Sequence, residues 1–309
     1  MKVVFFGTPE YAVPVLESIV NSRHEVVAVV SQPDKPKGRS NKVVPTPVKE
    51  LALKHNIQVF QYEKIRKEDI SELLAIPADI YVTCAYGQIL GENIINATKY
   101  GVINLHGSIL PKYRGASPIQ CALINCEKET GVTILKSGLG LDDGPIMMIE
   151  KIQISQEDNA ITLFDKLSVL SSQMIVPMLD KIERGDFELL SQEENIATKC
   201  TMLTPEMGII DFSKSAEEVV GLIKGLASWP NARITIDDVY FKLFNAKVSQ
   251  VGIQGEAGEV IVASSKQGLH IACGEGAIEI TEFLPINSKK MTAKSYLNGK
   301  SINIGSIAK

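Results

Sequence analysis

The stretch VVFFGTPEYAVPVLESIVNSRHEVVAVV, residues 3–30, carries two apolar strands on either side of an amphipathic helix. VVFF (3–6) ends at Gly7, and EVVAVV (25–30) is a second uninterrupted apolar run. Residues 11–21 between them place their apolar side chains on one helical face. Strands that are apolar on both faces are typical of a parallel sheet covered by helices. The segment therefore predicts a βαβ unit.

The same alternation continues for the next 150 residues. Further strands are predicted at 57–60, 79–86, 101–106 and 131–135, and helices at 47–55, 92–97 and 159–184. This order predicts an α/β class with a Rossmann-like parallel sheet. The first turn, GTPEYA, does not match the G-x-G-x-x-G dinucleotide fingerprint, which argues against a nicotinamide oxidoreductase.

The last third of the chain has a different pattern. Ser215-Ala-Glu-Glu218 is a capping box before a helix, and five short strand patterns follow it at close spacing. One helix with about five strands predicts a small β-barrel of the oligonucleotide-binding (OB-like) type. Because residues 185–207 are polar and weakly periodic, we place a first domain at 1–189, a linker at 190–207 and the barrel at 208–309.

The composition excludes several classes of protein. The chain has 309 residues, of which 45% are hydrophobic and 22% charged, with a net charge of −4. This balance is globular, and it predicts no general attraction to DNA or to a membrane surface. Five cysteines without C-x-x-C spacing predict buried, reduced thiols. No signal-peptide pattern and no apolar run of about 18 residues are visible, so we expect a cytoplasmic protein, and we expect it to be a monomer.

Polar residues cluster in NLHGSILP, directly after a predicted strand. Asn104, His106 and Ser108 are spaced by two and would point to one side of an extended segment. They would then converge at the carboxyl end of a strand, where open α/β sheets bind ligands. The backbone of Ser108 to Pro111 could hydrogen-bond a flat heterocycle, with Ile109 and Leu110 as walls.

An acidic turn, GLGLDDG, follows a later strand. Asp142 and Asp143 lie in it between glycines, and a carboxylate beside His106 would orient the imidazole and favour its protonated form. The residues themselves leave open which of the two carboxylates serves. The four histidines are far apart in sequence, so no metal site is predicted; we expect His24 and His55 at the surface or at helix ends, and His270 in a strand.

These pieces resemble the folate-dependent formyltransferases and, among them, the methionyl-tRNA formyltransferase family. The resemblance covers nearly the whole chain and rests on FFGTPEYAVPVLESI, SQPDKPKGR, PTPVKELAL, AYGQIL, NLHGSILPKYRGASPIQ, ETGVTIL, GLDDG and LASWPNA. It implies 10-formyltetrahydrofolate as the donor and initiator methionyl-tRNA as the acceptor, with N-formylmethionyl-tRNA made for translation initiation. It implies Asn104, His106 and Asp142 as the catalytic trio. It also implies folate contacts at Ser108, Ile109, Leu110 and Pro111 and at Tyr86, Gly87, Gln88 and Ile89.

Two basic zones interrupt the acidic average. Residues 35–49 contain five cations and no acid, in what Pro and Gly predict to be a loop, and we assign RNA contacts to Lys35, Lys37, Arg39 and Lys42. By the resemblance, Arg39 contacts the acceptor arm. A second zone, from Phe283 onward, also has no acid and carries lysines at 289, 290, 294, 300 and 309. This distribution favours an extended RNA ligand.

The same residues leave rival functions open. A formyltransferase acting on an amino sugar or a purine precursor would share the NLHGSILP string, although it would need neither a basic loop nor a barrel. A non-catalytic RNA- or folate-binding protein would leave the Asn, His and Asp set without a use.

Overall fold

The computed structural model describes residues 1–37, 42–252 and 254–309, with the side chains of Lys37 and Lys42 outside that description. The chain forms two compact units. The first consists of Met1–Gly115, Gly131–Ile152 and Phe164–Lys199, and the second of Ala116–Thr130, Gln153–Leu163 and Cys200–Lys309. The domain borders at residues 189 and 207 stay a prediction.

A seven-stranded sheet forms the centre of the first unit, in the order β10-β9-β7-β6-β1-β2-β5. Its strands are β1 Lys2–Gly7, β2 Glu25–Ser31, β5 Val59–Gln61, β6 Ile80–Cys84, β7 Val102–His106, β9 Glu129–Lys136 and β10 Ile146–Gln153. Two short pairs lie outside it, β3 Lys35–Lys37 with β4 Lys42–Val44, and β8 Arg114–Gly115 with β11 Lys199–Cys200. The helices along this part of the chain are α1 Val13–Val20, α2 Pro47–Lys54, α3 Ser71–Leu74, α4 Glu92–Ile95, α5 Pro118–Ile124 and α6 Ala160–Arg184.

The Rossmann-like α/β class is confirmed, and the sheet is mixed at one side. β1 pairs in parallel with β2 and β6, and β6 pairs in parallel with β7. β9 instead runs antiparallel to β7, so the expectation of a purely parallel sheet is wrong there. A continuous apolar run indicates burial on both faces of a strand and contains no information about strand direction.

The second unit contains an antiparallel sheet in the order β12-β13-β16-β15-β14, with β17 beside β16. The elements are α7 Ala216–Gly225, β12 Ala232–Ile236, β13 Val239–Val248, β14 Val260–Ser264, β15 Gly268–Ala272, β16 Ala277–Pro285, β17 Met291–Thr292 and α8 Ala293–Leu297. All five predicted strands are present. The capping box is also confirmed, because Ser215 Oγ accepts from the Glu218 backbone N–H while the Glu218 carboxylate accepts from that of Ser215.

The last residues of the chain bond to both edges of this antiparallel sheet. The backbones of Thr235 in β12 and Lys309 exchange two hydrogen bonds, of 2.7 and 3.0 Å. Val260 in β14 donates to the Ser306 carbonyl at 2.8 Å. Both edge strands are therefore covered, which is how an OB-like barrel avoids exposed edges.

Within the part of the chain that the structure describes, no helix has the length and apolar character needed to cross a lipid bilayer.

Candidate active site

The predicted polar cluster lies at the carboxyl end of β7, next to the end of β6. Asn104 is half-buried and His106 is 5% exposed, and both belong to β7. Because alternate residues of a strand share a face, the two side chains lie on the same side of the sheet. Strand pairing sets Asn104 opposite Thr83 of β6. The fold therefore provides two polar groups at an edge where α/β sheets bind ligands.

A turn after β9 brings Asp142 to these two residues. One carboxylate oxygen, Oδ1, accepts from Asn104 Nδ2 at 3.2 Å. The other, Oδ2, accepts from the Gly115 backbone N–H at 3.0 Å and lies 3.6 Å from His106 Nδ1. The latter separation is an ion-pair contact longer than a hydrogen bond. One carboxylate thus contacts both the amide and the imidazole that sequence analysis selected.

The other nitrogen of His106 fixes the ring. His106 Nε2 lies 2.8 Å from the Tyr113 carbonyl oxygen. A carbonyl oxygen only accepts, so Nε2 carries the proton of this bond. Nδ1 is then the ring nitrogen that faces Asp142, and it presents an N–H to the carboxylate when the ring is the imidazolium.

Thr83 is a residue that sequence analysis missed. Its hydroxyl donates to Asn104 Oδ1 at 2.7 Å. The Asp142 carboxylate only accepts, so the nitrogen of the Asn104 amide faces Asp142 and the amide oxygen is left to accept from the Thr83 hydroxyl. The signal for Thr83 is the pairing register of β6 and β7, which a sequence read one strand at a time does not contain.

The two adjacent aspartates have different surroundings. The Asp142 side chain is 13% exposed and bonded as described, whereas Asp143 is exposed. The question that the sequence left open, which carboxylate lies beside His106, is answered by position: it is Asp142.

Two domain families match this chain. The formyl transferase family matches residues 1–179, and the formyl transferase C-terminal domain family matches residues 202–301. The methionyl-tRNA formyltransferase of Sulfurihydrogenibium sp. is 41% identical over 307 residues, which are 99% of each protein. That of Lachnospira eligens is 41% identical over 310 residues, covering 99% of this chain and 98% of the relative.

The chain belongs to the methionyl-tRNA formyltransferase family.

A solved structure shares the fold. The N-formyltransferase from Helicobacter canadensis, crystallised with folinic acid and dTDP-3-aminofucose, superposes with a TM-score of 0.70 at 19% identity. The match covers 91% of this chain and 98% of that one. At this identity the likeness concerns the fold of the formyltransferases.

The strip that the resemblance assigns to folate, Ser108 to Pro111, is held in place by hydrogen bonds to its backbone groups. The Ser108 hydroxyl donates to the Lys112 carbonyl at 2.7 Å, so its proton is used within the same loop. Thr133 Oγ accepts from the Leu110 N–H and donates to the Ser108 carbonyl. Leu110 is buried, while Ile109 and Pro111 are partly exposed. The folate contacts stay a prediction for this family member.

The second predicted folate strip, Tyr86 to Ile89, follows β6. The Tyr86 ring is buried, burial raises the pKa of its hydroxyl, and the described residues offer that hydroxyl no hydrogen-bond partner. Gln88 is bonded at both ends, accepting from Ile65 N at 2.8 Å and donating to Tyr62 O at 2.7 Å. Gly87 and Ile89 are the exposed members of the strip, and they could face a ligand.

The basic stretch after β2 is partly a hairpin, so the expectation of a plain loop is wrong. β3 and β4 pair antiparallel, and the β-branched Val43 and Val44 favour the extended backbone that this pairing needs. Lys35 is exposed, and Lys37 and Lys42 belong to the two strands by their backbones. Arg39 lies outside the described residues. A further cation of this stretch, Lys49, is already paired with Asp34 at 2.7 Å.

The second basic zone lies in the antiparallel unit. Lys290 pairs with Glu282 at 2.8 Å and also lies over the Phe244 ring. The remaining lysines of the zone are exposed, at positions 289, 294, 300 and 309. They stay available for contacts with a polyanion.

The segment 190–199 contacts the start of β10 and the loop that follows β7, all within the first unit. Leu190 and Ile146 exchange two backbone hydrogen bonds. Arg114, which is buried, donates to Gln192 Oε1 at 3.0 Å and forms a bidentate pair with Glu194 at 2.7 and 3.0 Å. Arg114 and Gln192 have no role predicted from the sequence, because nothing in the sequence links positions so far apart.

The predicted locations of the other histidines have mixed outcomes. His55 is exposed at the end of α2 and His270 lies in β15, as expected. His24 is only 4% exposed, so the expectation of a surface residue is wrong. With Asp180 and Glu183 it forms a group that could hold a metal ion, but Arg23 already pairs with both carboxylates. We assign no metal to this group.

Proposed function

We propose that the chain transfers the formyl group of 10-formyltetrahydrofolate to the α-amine of initiator methionyl-tRNA, and that Asn104, His106 and Asp142 carry out the transfer. The product is N-formylmethionyl-tRNA, which serves translation initiation. The observation that supports these three residues is the position of the Asp142 carboxylate, in contact with both the Asn104 amide and the His106 ring.

The first chemical requirement is stabilisation of an oxyanion. Attack of the amine on the formyl carbon makes a tetrahedral intermediate with a negative oxygen. Asn104 Nδ2 and His106 Nδ1 both face the Asp142 carboxylate, so the Asn104 N–H groups and, in the imidazolium form of the ring, the Nδ1 N–H of His106 lie around one small volume. One N–H of the Asn104 amide has no partner within the described residues and is left for the oxyanion. Removing one such donor from a transition state typically costs about 10²–10³ in rate.

The second requirement concerns protons. A free α-amino group has a pKa of about 8, so a useful neutral fraction exists near pH 7. The attacking nitrogen must lose a proton as its bond to the formyl carbon forms. When the oxyanion collapses, the bond from that carbon to N10 of the folate breaks, and tetrahydrofolate leaves with a proton on N10. Asp142 is a carboxylate within contact of the reacting volume, and it assists this transfer while it orients His106.

The surfaces that would contact the folate donor and the tRNA acceptor are those predicted from the sequence. The half-exposed Ile109 and Pro111 and the exposed Gly87 and Ile89 would line the donor. The basic residues of the 35–42 stretch and the lysines beyond residue 288 would meet tRNA phosphates. We place the protein in the cytoplasm and expect it to act as a monomer.

The decisive experiment supplies 10-formyltetrahydrofolate labelled in its formyl group. Methionyl-initiator tRNA, free methionine and dTDP-3-aminofucose are offered as separate acceptors. Label should appear in the tRNA fraction in a time-dependent way, and free methionine should accept little, because it has the same amine without the phosphates. Transfer to the amino sugar alone would contradict the proposal, and donor binding without any turnover would favour a binding protein.

A further inference from the structure

The side-chain amide of Gln192 is fully engaged by the catalytic turn and its neighbour. Its Nε2 donates to the Asp142 carbonyl at 2.8 Å and to the Gly144 carbonyl at 2.7 Å. Its Oε1 accepts from Arg114 Nε at 3.0 Å. Because Arg114 only donates, the orientation of the amide is settled by chemistry. Gln192 thus uses both of its N–H groups on the turn that carries the Asp142 carboxylate.

That turn needs a restraint. Asp142 has φ = 52°, in the left-handed region that side chains other than glycine adopt at some cost. In this conformation its two carboxylate oxygens reach Asn104 on one side and Gly115 and His106 on the other. A rotation of the turn would move all of these contacts together. Two hydrogen bonds to the turn's own carbonyls oppose such a rotation.

Gln192 is itself held in place on both sides. Two residues earlier, Leu190 bonds to Ile146 at 2.8 and 2.9 Å. Further along, Thr198 accepts from the Tyr113 N–H through its hydroxyl at 2.8 Å and from the Arg114 N–H through its carbonyl at 2.9 Å. The segment 190–199 is therefore fixed against both the turn that carries Asp142 and the loop whose Tyr113 carbonyl holds His106.

We propose that Gln192 is a positioning residue of the formyl-transfer reaction, which holds Asp142 in its working geometry through the two turn carbonyls. The proposal rests on the proposed function, since it takes Asp142 as a reacting group. Gln192 contacts neither catalytic side chain, so it acts through the turn alone. A displacement of about 1 Å at a catalytic group can cost about 10² in rate.

The test replaces Gln192 with glutamate. In Gln192→Glu the acceptor for Arg114 is kept and both donors to the turn are lost. We expect kcat for formylation of methionyl-tRNA to fall about 10²-fold, while KM for the tRNA stays close to that of the unchanged protein. The melting temperature should also fall, because two hydrogen bonds are lost and the new carboxylate faces two carbonyl oxygens. A lower melting temperature with kcat unchanged would mean a merely structural role and would overturn the proposal.

The control is Asn195→Asp. Asn195 is exposed in the same segment and makes no side-chain hydrogen bond within the described residues. The substitution adds the same negative charge three positions away, and it should leave kcat within about twofold, as is usual for exposed sites. A loss in Asn195→Asp equal to that in Gln192→Glu would make the effect a matter of added charge and would overturn the proposal.

A second comparison tests the route through Asp142. If Gln192 acts through Asp142, then Gln192→Glu should lower the residual rate of an Asp142→Ala protein by less than about threefold, since coupled residues are strongly non-additive. A further 10²-fold loss there would overturn the proposal. An inactive Asp142→Ala with full activity in Gln192→Glu would overturn the role of Gln192 alone. A fully active Asp142→Ala would remove the catalytic trio itself.

Discussion

Two buried histidines in the first unit lie beside an aspartate, His106 beside Asp142 and His24 beside Asp180, and the proposed chemistry uses the first pair. His106 Nδ1 is 3.6 Å from Asp142, and His24 Nε2 is closer to Asp180, at 3.1 Å. His24 is also the more enclosed ring, with no exposed side-chain surface. By distance and burial alone, His24 would be the stronger candidate for an oriented imidazole.

The surroundings of the two pairs explain the difference. His24 precedes β2, whereas His106 ends β7, so they lie at opposite ends of parallel strands. Asp180 is bonded by Arg23 at 2.7 Å, which already balances its charge. Asp142 instead meets an amide, a backbone N–H and the His106 ring. The comparison teaches that an imidazole and a carboxylate make a reaction site only when further donors point at the same volume and a ligand can reach it.

The largest expected difference between the two histidines is in their effect on kcat, which substitution of each histidine in turn measures. His106→Ala should lower formylation of methionyl-tRNA by at least about 10²–10³-fold, because an oxyanion donor is lost. His24→Gln should keep kcat within about twofold. Steady-state rates with methionyl-tRNA measure both, and circular dichroism checks that each variant is folded. A large kcat loss in the folded His24→Gln protein would show that the two pairs are not distinguished by location.

A smaller effect is expected from the hydroxyl that orients Asn104. Thr83→Val keeps the shape of the side chain and removes the bond to Asn104 Oδ1. Loss of one such hydrogen bond is worth about 1 kcal/mol, so kcat should fall by about threefold to tenfold.

The matched control for that prediction is Thr98→Val. The Thr98 hydroxyl donates to the Gly101 carbonyl just before β7, at the opposite end of the strand from His106. The kcat of the Thr98→Val protein should equal that of the unchanged protein. Equal losses in Thr83→Val and Thr98→Val would mean that Asn104 does not depend on Thr83 for its orientation.

The smallest effect concerns the pH dependence of stability at His24. Burial lowers the pKa of His24 below its ordinary value of 6.5. The unfolded chain then binds this proton more readily than the folded protein does, so stability falls as the pH drops below about 6.5. Between pH 7.5 and 5.5, the melting temperature of the unchanged protein should fall by about 1–3 °C more than that of His24→Gln.

His55→Gln provides the control, because His55 is exposed. Its melting temperature should follow that of the unchanged protein across the same pH range. An identical pH dependence in all three proteins would show that the buried His24 ring takes up its proton as easily as an unfolded one.

Much of the fold was predictable because it follows from local patterns. Apolar runs such as residues 3–6 and 25–30 mark buried strands, and the capping box at Ser215 marks the start of a helix. The direction of β9 was not predictable, since burial on both faces does not depend on direction. The hairpin at β3 and β4 was missed because Pro and Gly nearby outweighed two β-branched residues.

The residues of the candidate site were also predictable only in part. Asn104 and His106 could be paired from their spacing. That alternation does not extend to Ser108, because the strand ends at His106, and the folate contact of Ser108 stays a prediction. Asp142 was chosen over Asp143 by the family resemblance, while the residues alone left both open. Three further residues could not be predicted from the sequence. The pairing register of β6 and β7 sets Thr83 beside Asn104, and a contact between distant parts of the chain joins Arg114 to Gln192.

The sequence alone was enough to predict which polar side chains form the candidate site and whether each lies on a strand or in a turn. Periodicity is a property of neighbouring residues, so strands, helices and the two architectural classes could be predicted from it. Tertiary structure alone decided that Asp142 meets Asn104 and His106, and that Gln192 holds the Asp142 turn. These contacts join residues 38, 36 and 50 positions apart, and their geometry depends on packing and register, which no local pattern encodes.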